Sequence, residues 1–202
     1  MGYASWLTPS KLSGSGNDTV NVSANANNTG RNARTTNITF SAVGVEDVVR
    51  IVSQTGKPEF GTFDNASAAS EKTGGTLTLS GTSNSSALTF SKGTDNIGLT
   101  IPSTYTAAGT TTNNGDAITG DPGATQEYVW SIPFTIPANA GVDPLTCQIV
   151  VTDDAGHTST CTITLAAGDA TLSVTPASVE IPWDGSTSAS FTVTSNTNWT
   201  IA

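Results

Sequence analysis

After Lys92 the sequence contains no lysine or arginine. Residues 93–202 carry ten acidic side chains and no basic one, whereas residues 1–92 hold all seven Lys and Arg beside six Asp and Glu. A surface with no basic patch repels phosphate backbones and anionic headgroups, which argues against nucleic acid and anionic membrane as partners. No apolar run approaches the roughly 18 residues of a membrane-crossing helix, so no membrane span is expected. Met1-Gly2-Tyr3 opens no signal peptide, because the basic and apolar regions of one are missing. The expectation is an extracellular or cell-surface protein whose leader lies outside this sequence, or a virion protein assembled in the cytoplasm.

Chemistry-bearing residues are equally scarce. The single histidine, His157, ends Asp153-Asp-Ala-Gly-His157, a hairpin turn between two alternating stretches. It reads as an exposed turn residue rather than a cation ligand with Asp153 and Asp154. Asp116 and Asp121 flank Gly120 without calcium-ligand spacing. No nucleophile elbow, phosphate loop or paired-carboxylate motif occurs. The sequence therefore asks for no metal or cofactor and predicts a protein that is not an enzyme.

What the chain does contain is Thr, Ser, Asn and Gly, with short apolar/polar alternations and no helix-length amphipathic pattern. That is the signature of short strands joined by many turns, an all-β protein. In the middle, strands are expected at 76–80, 87–91, 97–101, 117–119, 127–136, 146–152 and 159–165, an immunoglobulin-like count. The stretch 108–125, rich in Gly, Thr, Asn and Asp, is expected to be the longest loop. Tyr128, Trp130, Ile132, Phe134 and Ile136 share one parity and read as core. Val48-Val49-Arg50-Ile51-Val52 is apolar at both parities, so its register stays open.

Cys147 alternates with Ile149 and Val151, and Cys161 with Ile163 and Leu165, so both thiols should point inward on adjacent strands. Oxidised, they would close a loop worth about 3 kcal/mol. Reduced, they would be small buried hydrophobes.

Leu172-Ser-Val-Thr-Pro176, the Gly185 turn, Phe191-Thr-Val193 and Ser195-Asn-Thr-Asn-Trp199 resemble the first half of a BACON domain. Ala4-Ser-Trp-Leu7, Ser13-Gly-Ser-Gly16, Val20-Asn-Val22, Arg34, Ile38-Thr-Phe40 and Gln54-Thr-Gly56 resemble its second half. The resemblance implies a β-sandwich, found in tandem arrays on extracellular proteins of gut Bacteroidetes and in some of their phages, and associated with carbohydrate binding. It assigns 1–56 to the second half of a BACON-like sandwich and 169–202 to the first half, while 57–168, which it does not cover, reads from its turns and strand count as a linker and immunoglobulin-like β-sandwich. The expected fold class is thus all-β, with immunoglobulin-like β-sandwiches in tandem and one sandwich split between the two terminal segments.

Joined tail to head, Trp199 and Ala202 would meet Tyr3 and Trp6, and this is the expected assembly junction. The partner is then another copy of the chain, a neighbouring repeat of one long covalent array, or the same chain folded back. The first reading is a structural or adhesion repeat that adds copies head to tail, an open filament unless the rotation closes. The alternative is a dedicated carbohydrate module for host glycans or mucin. Sugars stack on aromatic rings, and Tyr105 and Trp183 are the candidate glycan contacts left once core and junction aromatics are set aside.

Overall fold

The computed structural model describes residues 2–202. The chain is all-β, with several sheets and, among the described residues, one single-turn 3-10 helix at Pro122–Ala124. Four strands come first: β1 (Leu7–Pro9), β2 (Val22–Ala24), β3 (Arg34–Phe40) and β4 (Val48–Gln54). They form two separate antiparallel ribbons, β1–β2 and β3–β4. Nine follow: β5 (Gly61–Phe63), β6 (Ser67–Ser70), β7 (Gly75–Ser83), β8 (Leu88–Asp95), β9 (Thr104–Ala107), β10 (Thr110–Asn113), β11 (Tyr128–Ile136), β12 (Leu145–Asp153) and β13 (Thr158–Leu165). The chain ends with the ribbon β14 (Leu172–Thr175) and β15 (Thr192–Ser195).

The nine middle strands make a five-stranded sheet, β10-β9-β11-β7-β5, and a four-stranded sheet, β6-β13-β12-β8. Between them lies one hydrophobic core, which includes Trp130, Ile132, Phe134, Leu88, Ile149 and Ile163. The alternation of β11 does what its parity requires: Tyr128, Trp130, Ile132, Phe134 and Ile136 are all buried, because successive side chains of a strand point to opposite faces. Trp130 sits at the centre, edge-on to Phe63 at 5.1 Å and to Phe90 at 5.0 Å between ring centroids. Its ring approaches β7 this closely only because residue 81 is glycine. A Cβ there would stand 2.4 Å from the indole and 1.9 Å from the Thr62 carbonyl oxygen.

Three expectations for this region need correction. Residues 97–101 form no strand. β8 stops at Asp95, whose carboxylate accepts the N–H groups of Ile97 (3.0 Å) and Gly98 (2.9 Å), and Gly98 turns the chain at φ +79°. Ile97 and Leu99 are nonetheless buried, which is why they alternate. The supposed loop at 108–125 begins as a hairpin: Ala107 pairs with Thr110 across Ala108-Gly109, both at positive φ, as a two-residue turn of the mirror-image type demands. Alanine at the first position hid that turn. Only Ala117 of 117–119 pairs, in an isolated bridge to Ala87. With β5, β6, β9 and β10 added, the middle region has nine strands rather than seven.

Cys147 and Cys161 both face the core, buried to 0% and 1% exposure, and both are free thiols. Cys147 lies opposite Ile163 and Cys161 opposite Ile149. The two are therefore diagonal rather than facing. Diagonal neighbours on one face stand about 7–8 Å apart, beyond the roughly 4.4–6.8 Å between Cα atoms that a disulfide spans. Of the two alternatives the sequence leaves open, bonded or reduced, this two-residue offset fits the reduced one. Burial, and then the neighbouring Asp95 carboxylate, push the Cys147 thiol up to about 11, and burial raises Cys161. Under non-reducing conditions, thiol reagent is expected to label neither cysteine in the native protein and both after unfolding. A melting temperature unchanged by reductant is expected alongside; a drop on reduction would show a bond.

Asp95 also carries a pH signature. Its burial raises the carboxyl, but the Lys92 ammonium at 2.8 Å, the Gly98 and Ile97 N–H groups and the Cys147 thiol together outweigh it and hold the group down to about 2. A depressed carboxyl contributes stability in full above its unfolded value of about 4 and loses it as pH falls through about 2. Asp95→Asn is expected to melt earlier than wild type at about pH 5, and the gap should close as pH falls from about 4 to about 2. Circular dichroism melts across that range test this.

Candidate functional site

The long ladder of β7 with β11 defines an axis. Ser83 and Tyr128 stand at one end, Gly75 and Ile136 at the other, about 26 Å apart at the usual strand rise. Residues 2–56 attach at the first end and residues 169–202 at the second.

The first attachment is dense. Arg31 N–H donates to Gly123 O (2.9 Å), Asn32 N–H to Ala124 O (3.0 Å) and Lys57 N–H to Gly30 O (2.9 Å). The Arg31 guanidinium donates to Asn84 O (3.1 Å) and pairs with the Asp121 carboxylate. Asn84, fully buried, accepts Phe60 N–H (3.0 Å) and donates to the carbonyls of Lys57 (3.1 Å), Thr29 and Pro58 (both 3.3 Å). Gly30 allows the approach, since a Cβ there would fall 2.3 Å from the Thr125 backbone. The second attachment is thinner: Lys72 pairs with Asp169, and Asn196 Nδ2 donates to Ala140 O (3.0 Å).

Beyond these attachments each terminal segment leaves apolar faces uncovered. In β3–β4, Ile38 pairs with Arg50 and Phe40 with Val48, so Ile38, Phe40, Val48, Arg50 and Val52 share one face. That pairing settles the register left open by the sequence. Val49 (48% exposed) and Ile51 (72%) point the other way. Beside Ile38 and Phe40 opens a groove of about 560 Å³, bounded by Tyr3, Leu12 and Val20. At its rim the Lys11 ammonium, 2.7 Å away, and then the Thr19 N–H hold the Asp18 carboxyl below its ordinary range. In β14–β15, Val174 faces Val193 and Leu172 faces Ser195. Leu172, Val174, Phe191 and Val193 therefore fall on one side, while Ser173, Thr175, Thr192 and Thr194 take the other.

Of the expected junction residues, Tyr3 and Trp6 are half-buried and Trp199 and Ala202 are exposed. The Arg34 guanidinium stacks on the Trp6 ring at 4.8 Å. Tyr3 and Trp6 lie at one pole and Trp199 and Ala202 follow the ribbon at the other, so within one chain the structure does not bring them together. Of the expected glycan contacts, Trp183 is 99% exposed and Tyr105 is 2% exposed. Tyr105 is thereby removed from the candidates: its hydroxyl accepts the Leu88 N–H at 3.3 Å and its ring packs on Phe90 at 5.0 Å. Its alternation with Ala107 belongs to the buried strand β9, which lies between the strand expected at 97–101 and the loop expected from 108 and was not foreseen. His157 is an exposed turn residue whose Nδ1 lies 2.8 Å from the buried Asp153 carboxylate. Among the described residues no group of three or more His, Cys, Asp or Glu is placed to hold a metal, and no helix is long and apolar enough to cross a membrane.

Two solved structures similar to this chain are endo-fucoidan hydrolases of glycoside hydrolase family 107. One is 16% identical, with a TM-score of 0.30, over 82% of this chain and 22% of its own; the other is 15% identical, with a TM-score of 0.30, over 81% and 26%. The chain spans about a quarter of their length or less. The expectation that the protein is not an enzyme is withdrawn against these hydrolase neighbours, while a likeness this distant assigns no activity. No curated protein matches the sequence. A family model does match, and it covers the segment that holds the groove: residues 1–55 fit BACON, described as "Putative binding domain, N-terminal".

Proposed function

We propose that the chain is a structural and adhesion β-sandwich repeat of a Bacteroidetes surface protein or of a phage virion, working outside the cell. In this reading residues 1–56 and 169–202 are complementary halves of one BACON-like sandwich around the 57–168 sandwich, and the half at one end of a copy is completed by the opposite half of the next. The observation that carries it is the pair of uncovered apolar ribbon faces at opposite poles. A two-stranded ribbon is marginal in water and its free edges invite pairing. The contact is heterologous, so copies add head to tail. The same interface serves separate chains and successive repeats of a single polypeptide.

Static light scattering on the full chain tests the proposal. Mass is expected to rise with concentration, and Val174→Asp, which places a charge in the apolar face, is expected to abolish the rise. A monomer at every concentration, unchanged by Val174→Asp, would sink it.

A second reading, binding of host glycans or mucin, is favoured by two observations: the exposed Trp183 ring and the family's description as a binding domain. Saturable binding on a glycan array that Trp183→Ala removes would support it; binding that survives the substitution would place the site elsewhere.

A further inference from the structure

We infer that the groove beside Ile38 and Phe40 is the receptor for the apolar face of the β14–β15 ribbon of a second copy, and that charge selects this pairing over contact between like ends. The inference rests on the head-to-tail reading above and assigns its two surfaces.

Chemistry and geometry agree on the occupant. Tyr3, Leu12, Val20, Ile38 and Phe40 line the groove beside Lys11 and Asp18, and among the described residues β3 has one edge without a partner strand, since β3–β4 is a two-stranded sheet. What fits such a slot is an extended segment with one apolar face, which adds main-chain hydrogen bonds at the edge and side chains at alternate positions. The β14–β15 ribbon has that pattern: Leu172, Val174, Phe191 and Val193 on one side, hydroxyl side chains on the other. Leu172 is 61% exposed, Val174 46% and Phe191 51%, so the face is uncovered within its own chain. The ribbon cannot reach its own groove, because the two attach at opposite ends of the β7–β11 ladder.

Charge separates the possible pairings. Residues 1–56 carry four basic side chains against three acidic, a net +1, and one of the four, Arg50, lies on the same face as Ile38. Residues 169–202 carry Asp169, Glu180 and Asp184 and no basic side chain, a net −3. Ribbon against ribbon would set −3 against −3, whereas ribbon in groove sets −3 against +1 with an arginine at hand. Like-charge juxtaposition penalises the wrong pairing more than attraction strengthens the right one.

Site-directed cross-linking on the full chain tests the assignment, and the two native thiols, both buried, leave it undisturbed. Phe40→Cys and Val193→Cys are made as separate proteins. After mild oxidation the mixture is expected to give a covalent dimer containing one of each, while neither alone does. Thr36→Cys with Leu172→Cys serves as a second pair should either first variant fold poorly. Asn37→Cys, on the opposite face of β3, is the control and is expected not to link to Val193→Cys. Efficient linking through Asn37→Cys, or a homodimer of Val193→Cys alone, overturns the groove assignment. So does the absence of every cross-link in samples that light scattering shows to be assembled; of these three outcomes only the Val193→Cys homodimer, which joins like ends, also overturns the head-to-tail reading. Monomers throughout overturn both.

Discussion

Trp130→Ala is expected to cost about 3–5 kcal/mol and to leave the nine-stranded middle region unfolded or barely folded at room temperature. The side chain is 2% exposed and bridges the two sheets, meeting Phe63 from β5 and Phe90 from β8 edge-on while covering Gly81 of β7. Truncation opens a cavity that none of these can close. Phe63 belongs to a three-residue strand held by β7, and Phe90 is anchored by its backbone on both sides, through Asn114 and the β12 pairing. Trp130→Phe is the informative companion. It keeps an aromatic ring and deletes an indole N–H that finds no acceptor in the buried interior, so its cost should stay below about 2 kcal/mol. Urea unfolding followed by intrinsic fluorescence and circular dichroism measures both.

Asn84→Ala is expected to be nearly as damaging, by a different route. Asn84 satisfies three carbonyls and one N–H from residues 29–60 at the seam between the N-terminal segment and the middle sandwich. Removing the amide strands these groups where water enters poorly, at about 1–3 kcal/mol for each group left unsatisfied. A total loss of at least about 3 kcal/mol is expected, and it should be local. Amide exchange should quicken at residues 29–32 and 57–60 before it changes in β11 or β12. Uniform acceleration across the molecule would show that the seam and the sandwich unfold as one unit. Arg31→Ala, which loses the Asp121 pair and one bond to Asn84 O, should produce the same pattern more weakly.

The sequence disclosed strands wherever a single face is buried over a long run. β11, β12 and β13 were legible for that reason: Trp130, Ile149 and Ile163 each lie in an uninterrupted alternation. β5 and β6 escaped because Gly61-Thr-Phe63 and Ser67-Ala-Ala-Ser70 are too short and too poor in large apolar residues to show a period. The β9–β10 hairpin escaped because Ala108 occupies a left-handed turn position that asparagine or glycine usually marks. Ile97 and Leu99 misled in the opposite direction, since burial in an irregular segment leaves the same alternation as a strand. Of the candidate surfaces, the apolar faces of the terminal ribbons could be read from Phe40, Val174 and Phe191. The groove could not, because Tyr3, Leu12 and Val20 come together with Ile38 only through the folding of the 10–21 loop. Trp183 and Tyr105 looked alike as isolated aromatics, and only the pairing of Tyr105 within the five-stranded sheet told them apart.

The parallel pairing of β6 with β13 has a mechanical consequence. The chain enters the middle sandwich from one pole through β5 and β6 and leaves toward the other pole through β13, with Ser67–Ser70 alongside Thr162–Leu165. Tension between the poles would pull these two neighbouring strands in opposite directions along their length. Their hydrogen bonds would then be loaded in shear, sharing the force, rather than peeled apart one after another. A module strung between neighbours at its two ends would thus meet a stretching load with a lap joint at its centre.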